Sequence, residues 1–227
     1  MAGPSAGERP SPAAPASARP HARATRVITI IVASVWLLAV VGAMGWIVSY
    51  TNTPGAGGEA PSHWPAESQI ALDSQVPTLV MFAHPHCPCT RASLGELALL
   101  MARCRGRVSA RVLFIKPAGM SDEWTQTDLW QKAAAIPGVT TGRDEDGTES
   151  RLFHSETSGQ TLLYDCAGNL LFQGGITASR GHSGDNPGRS ALVALLEHRQ
   201  ATPTRTPVFG CALFDDHSQP GGAECRP

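Results

Sequence analysis

Residues 83 to 95 read AHPHCPCTRASLG, with two thiols, Cys87 and Cys89, on either side of Pro88 and two imidazoles, His84 and His86, just before them. A cysteine acts as nucleophile or metal ligand in its thiolate form, so the chemistry of such a cluster turns on what keeps one sulfur ionised. If Cys87 is a helix N-cap, Pro88 the first helical residue and Cys89 the second, the proline lacks only an N–H that would have gone unpaired there. The free N–H groups and positive end of that first turn then favour a thiolate at Cys87, lowering it from the free thiol value of about 8.5. Cys87 is therefore expected to be the nucleophile, passing through a mixed disulfide that Cys89 resolves by closing a small ring. Closure one residue apart bends the backbone, and strained disulfides are readily reduced, which favours oxidant or isomerase chemistry over strong reduction. A permanent staple between such near neighbours would close almost no loop and constrain the unfolded chain little. Protonated His86 or His84 can help hold the thiolate; the alternative is a surface histidine at a strand end.

These residues need a strand before them and a helix after them, and the pattern supplies both. PTLVMFA at 77–83 is an apolar run short enough for a strand buried on both faces. Leu94, Leu97, Ala98 and Met101 then recur at helical spacing. VSARVLFI at 108–115 reads as a second strand, parallel to the first across the intervening helix. A capped helix is expected from Ser121 to about Ile136, stopped by Pro137-Gly138, followed by a solvated acidic turn, TGRDEDGTES. TLLYDCAGNLLFQGG at 161–175 reads as an antiparallel hairpin, and Asn186-Pro187 opens a last helix.

In that order the second hairpin strand returns to the cysteine end, bringing the loop ITASRGHSGDN near Cys87. Arg180 and His182 are its candidates, His182 as proton shuttle or ligand. The alternative is that Arg180, Asp185 and Asn186 only organise a turn and a helix cap. Of the other cysteines, Cys104 and Cys166 are expected at the opposite pole, where a structural bridge between them is one option. Cys211, in VFGC, is either a third redox thiol or a buried structural one, and Cys225 is expected to be dispensable.

Upstream, VITIIVASVWLLAVVGAMGWIVSY at 27–50 carries no charge and is long enough to cross about 30 Å of hydrocarbon. Arg9, Arg19, Arg23 and Arg26 precede it and no basic residue follows until Arg91, so the N-terminus is expected in the cytoplasm and the rest outside. The expected location is the inner (cytoplasmic) membrane, single-pass, with a periplasmic or other extracytoplasmic domain. The organisation follows as a disordered cytoplasmic arm over 1–26, a transmembrane helix over 27–50, a linker over 51–75, a folded domain over 76–200 and a C-terminal tail over 201–227. Residues 51–227 hold 14 Lys and Arg against 18 Asp and Glu, a balance with no basic footprint for nucleic acid. All six cysteines lie there, on the oxidising side if the orientation is right.

The order βαβαββα with a cysteine pair at its first strand-to-helix junction resembles the thioredoxin superfamily, and MFAHPHCPCTRASL is similar to that family's strand, active-site cysteines and helix. GGITASRGHSGDNPG, TPVFGC and the anchored layout further resemble the small membrane-bound thioredoxin-like group called RedB. The resemblance spans about 76 to 215. It implies an α/β fold, a thioredoxin-like three-layer α/β/α sandwich with a mixed sheet, preceded by one transmembrane helix. It also implies thiol-disulfide exchange with protein thiols or disulfides, or with a membrane redox partner, and no cofactor. Two departures limit what carries over. Thioredoxins separate their cysteines by two residues rather than one, and Gln160 stands where that family's peptide-docking cis-proline would be.

Two other readings remain open. Two soft thiolates and an imidazole suit Cu(I), so Cys87, Cys89 and His182 could serve a copper-delivery protein, with copper as cargo or cofactor. The fold could also be a non-catalytic binding module.

Overall fold

The computed structural model describes residues 20–214, with side chains from residue 23. The chain divides into two units, Met1–Ile47 and Val48–Pro227. Helix α1 spans Pro20–Asn52 and overruns the expected 27–50 span at both ends. Pro20 fits a first helical position, and HARATR after it contains no helix breaker. Within it, Arg23–Asn52 is long and apolar enough to cross a membrane. Its apolar side chains, Trp36, Leu38 and Trp46 among them, are exposed. Of the expected arm, residues 1–19 lie outside the described residues, as do 215–227 of the tail and Cys225 with them.

The second unit is built on a five-stranded sheet of order β3-β2-β1-β4-β5. Its central strand β1, Thr78–Ala83, is fully buried along its length. It pairs in parallel with β2, Ser109–Lys116, and antiparallel with β4, Gln160–Tyr164. β5, Leu170–Gly174, completes the expected hairpin. Asp165 shapes the hairpin turn by accepting the N–H groups of Ala167 and Asn169 at 2.9 and 2.8 Å.

Alternation along β1 sends Leu79, Met81 and Ala83 to one face and Val80 and Phe82 to the other. The first face is covered by α2 (Thr90–Arg103), α3 (Asp128–Ala134) and α5 (Pro187–Leu196), through Leu97, Leu100, Leu129 and Leu192. The expected α/β fold with a mixed sheet is present, its three longer helices on the first face.

Three local expectations are corrected. The helix expected over 121–136 is a short 3-10 turn, Asp122–Trp124, followed by α3, because the intervening TQT favours turns and α3 starts only at its cap Thr127. The acidic stretch expected to be a solvated turn forms the edge strand β3, Val139–Glu145, parallel to β2, and then α4, Thr148–Leu152. An edge strand with a polar outer side carries no apolar alternation to reveal it. Within β3, Asp144 is wholly buried and accepts the N–H groups of Glu149 and Ser150 at 2.8 and 2.9 Å, together with the Ser150 hydroxyl. Burial pushes its carboxyl up despite those bonds.

The third correction concerns 51–75, expected to be a loose linker. It packs on the second face of the sheet, where α4 alone is too short to cover the core. Ala60 and Ile70 are buried there, and Trp64 stacks edge-on against Phe153 and Tyr164 with ring centroids 5.0 and 5.2 Å apart. The Tyr164 hydroxyl donates to the Pro61 carbonyl at 3.0 Å, and buried Glu149 accepts from Ser68 Oγ and Gln69 N at 2.7 and 2.8 Å.

Candidate active site

The cysteine loop leaves the buried end of β1 and is pinned at each turn. His84 N donates to Ser158 Oγ at 2.8 Å, Ser158 Oγ and Thr90 Oγ1 are 2.7 Å apart, and Thr127 Oγ1 donates to the Pro85 carbonyl at 3.0 Å. Ser158 and Thr90 are both buried, so these bonds are shielded from water. Just before Gln160, which stands at the position of the missing proline, Gly159 adopts φ +91° and its N–H reaches the Phe82 carbonyl at 2.7 Å, joining the start of β4 to β1. Gln160 is buried, and its side chain accepts from Glu156 N at 3.3 Å.

The helix cap lies later than expected. Cys89, already at φ −66° and ψ −29°, precedes the first helical residue Thr90. Cys87 sits one tight turn earlier, its carbonyl accepting Thr90 N at 3.1 Å while Pro88 O accepts Arg91 N at 3.3 Å. Cys87 is consequently not the N-cap, and the helix end is not its main stabiliser.

The group that takes over is Cys211. Its N–H donates to Cys87 Sγ at 3.4 Å. Cys87 is held well below the ordinary thiol value by hydrogen bonds from the Cys211 thiol first and the Cys89 thiol next, with the Cys211 N–H and Thr90 adding to them against the cost of burial. Cys211 is pushed up for the same reason, because as a proton donor to Cys87 it loses that bond on ionising. On Cys89 the Cys211 thiol and the Arg180 charge act downward, but the bond to Cys87, burial and the Cys87 charge outweigh them and raise it. These directions favour ionisation at Cys87 first, with Cys89 and Cys211 holding their protons longer.

Exposure reverses the expected division of labour. Cys87 is only 1% exposed, whereas Cys89 and Cys211 are half-buried. The sulfur best able to carry charge is the one least able to meet a solute. Residues 204–213, part of the expected 201–227 tail, bring Cys211 onto the Cys87 sulfur.

Arg180 enters the site through that segment. Its guanidinium donates to the Gly210 carbonyl and, through Nε, to the Thr53 carbonyl at 3.2 Å, beside Cys89. His86 is exposed and packs on Trp124, ring centroids 4.8 Å apart, with its N–H donated to His84 Nδ1 at 3.2 Å. His182 is exposed on a turn closed by its N–H to the Ser179 carbonyl at 3.2 Å. The loop after it is tied to α2 through buried Glu96, which accepts Gly184 N at 2.8 Å and pairs with Arg189. Among the described residues no group of three or more His, Cys, Asp or Glu side chains is placed to share a metal ion.

Cys104 and Cys166 are free thiols with no bridge between them, the first buried in the main core and the second exposed in the hairpin turn. Burial pushes the Cys104 thiol up, an inert setting. Ser158 was not legible as a site residue, since it belongs to no motif and only the fold brings it to Thr90.

No family model and no curated protein matches the chain. Among solved structures, an uncharacterized conserved protein from Geobacillus kaustophilus is 20% identical, with a TM-score of 0.52 over 74% of this chain and 95% of that one. A hypothetical protein from Sinorhizobium meliloti is 18% identical, with a TM-score of 0.51 over 71% and 93%. A secreted Mycobacterium tuberculosis disulfide oxidoreductase homologous to E. coli DsbE is 15% identical, with a TM-score of 0.40 over 56% and 84%. The first two likenesses show the fold.

Proposed function

We propose that the chain is a membrane-anchored, extracytoplasmic thiol-disulfide oxidoreductase whose redox pair is Cys87 and Cys89, working as an oxidant or isomerase of protein thiols. The observation that carries this reading is the buried Cys87 sulfur, which accepts the Cys211 N–H at 3.4 Å and is held below the ordinary thiol value by the thiols of Cys211 and Cys89. A stabilised thiolate favours the reduced dithiol, and a disulfide whose reduced form is stabilised is a strong oxidant. Strain in the small Cys87–Cys89 ring acts in the same direction.

Exposure supports attack at Cys89. A substrate thiolate attacks Cys89 Sγ of the oxidised pair, forming a mixed disulfide and expelling Cys87 as thiolate, the leaving group with the lower pKa. The substrate's second thiolate then attacks its own sulfur in that bond and releases Cys89. Two electrons pass to the protein, and the substrate leaves as a disulfide. The basic flank of the apolar helix supports the anchored orientation.

The test is exchange of the full chain in detergent with a glutathione redox buffer, followed by thiol counting. The wild-type chain is expected to lose Cys87 and Cys89 as a pair. Cys89→Ser is expected to slow exchange about tenfold or more, since Cys89 is the exposed partner and its loss leaves only a shielded thiolate. Exchange unchanged in both Cys87→Ser and Cys89→Ser would overturn the reading.

A further inference from the structure

We propose that Cys211 is a third redox thiol, held on a docked C-terminal strap, which takes over the disulfide from Cys89 and bonds to Cys87. The inference rests on the Cys87–Cys89 reading and adds the step that follows oxidation.

The strap is bound as an added strand. It begins at the β5 edge, where Gln173 N donates to the Thr204 carbonyl at 3.1 Å and Thr206 N donates to the Gln173 carbonyl at 3.2 Å. It ends on the segment before β4, where Ser158 N donates to the Cys211 carbonyl and Leu213 N to the Glu156 carbonyl, both at 2.8 Å, with Thr157 and Ala212 paired antiparallel. Main-chain pairing of this kind is how extended peptides dock on a sheet edge, and here the peptide belongs to the chain itself. Val208, Phe209 and Leu213 bury their side chains along the way. The path is cut for close approach: a Cβ at Gly210 would lie 1.9 Å from the Ser158 carbonyl oxygen, and one at Gly175 2.6 Å from the Pro207 carbonyl oxygen. Arg180 fixes the Gly210 carbonyl immediately before Cys211.

This docking leaves Cys87 covered, with the Cys211 N–H on its sulfur at 3.4 Å and the Cys89 and Cys211 thiols acting on it as donors, one from two residues along the chain and one from the strap. When Cys87 and Cys89 are joined, the thiolate that kept Cys211 protonated no longer exists, so the chief cause of the raised Cys211 thiol is removed. Cys211 then attacks Cys87 Sγ as thiolate. The Cys87–Cys211 bond forms, the Cys87–Cys89 bond breaks, and Cys89 leaves with the proton that Cys211 gave up. No electrons are gained or lost. The exchange trades a strained small ring for a wide loop whose ends the fold already holds together, and it returns Cys89 to solvent as a free thiol.

The experiment equilibrates the full chain in detergent with a glutathione redox buffer, quenches with acid, alkylates, and maps disulfide-linked peptides by mass. Wild type is expected to yield both the Cys87–Cys89 peptide and the Cys87–Cys211 linkage. Cys211→Ser should yield the Cys87–Cys89 peptide alone. Gly210→Ala, which lifts the strap without touching a sulfur, should retain Cys87–Cys89 and lose Cys87–Cys211 several-fold. If wild type forms Cys87–Cys89 while Cys211 is fully alkylated, the inference falls and the parent reading stands. If wild type forms neither linkage, the Cys-Pro-Cys reading falls and takes this inference with it.

Discussion

Cys87 and Cys89 are two residues apart and titrate in opposite directions. Cys87 lies below the ordinary thiol value because its neighbours donate to the anion, and Cys89 lies above it because it is one of those donors. The thiolate ultraviolet absorbance of the reduced chain is therefore expected in separate steps, with the first surviving well below neutral pH and absent in Cys87→Ser. A single step near the ordinary value would refute it. The same shift makes a stability statement. Below about pH 9 the unfolded Cys87 binds a proton that the folded one does not, so this contribution is complete above that pH and is lost as pH falls toward the folded value. The gap in denaturation midpoint between wild type and Cys87→Ser should narrow steadily on acidification. At this scale the sequence shows the Cys87–Cys89 cluster but not what surrounds it. AHPHCPCT announces a thiolate, but whether Cys87 or Cys89 faces solvent depends on Cys211, which is 124 residues away in the chain.

Elements with strong periodicity were the readable ones: β1, α2, β2, the β4–β5 hairpin and α5 each show a buried face in their spacing. β3 and α4 were hidden because their order comes from a polar side chain. Asp144 turns inward from β3 and caps α4, and the carboxylate of Glu149 on α4 then anchors Ser68 and Gln69. Asp144→Ala leaves two amides of the first turn of α4 without their acceptor in a buried place, at a cost of about 2 kcal/mol. For a unit of this size that corresponds to a Tm lower by roughly 4–8 °C. Asp144→Asn retains one acceptor oxygen and should recover part of the loss. A melting temperature unchanged in Asp144→Ala would mean that water replaces the cap and that α4 is not held from β3.

At the scale of the whole molecule, an apolar helix carries arginines on its N-terminal side, and a domain with cysteines follows it. Dithiol chemistry of the oxidising kind requires that domain to stand where thiols are not kept reduced, so topology and function are one question here. Cys166 is suited to answer it. It is a free, exposed thiol in the turn between β4 and β5, at the far end of those strands from Cys87, and its modification leaves the redox cluster untouched. If the arginine-rich flank is retained in the cytoplasm, a membrane-impermeant maleimide added to intact cells expressing the full chain, after reduction, should label Cys166. The Cys166→Ala variant should show the corresponding drop in label. Label that reaches Cys166 only after lysis would put the domain in the reducing compartment. A Cys87 thiolate there would be kept as a dithiol by the glutathione pool, and the chain could not work as a net oxidant however low that thiol's pKa.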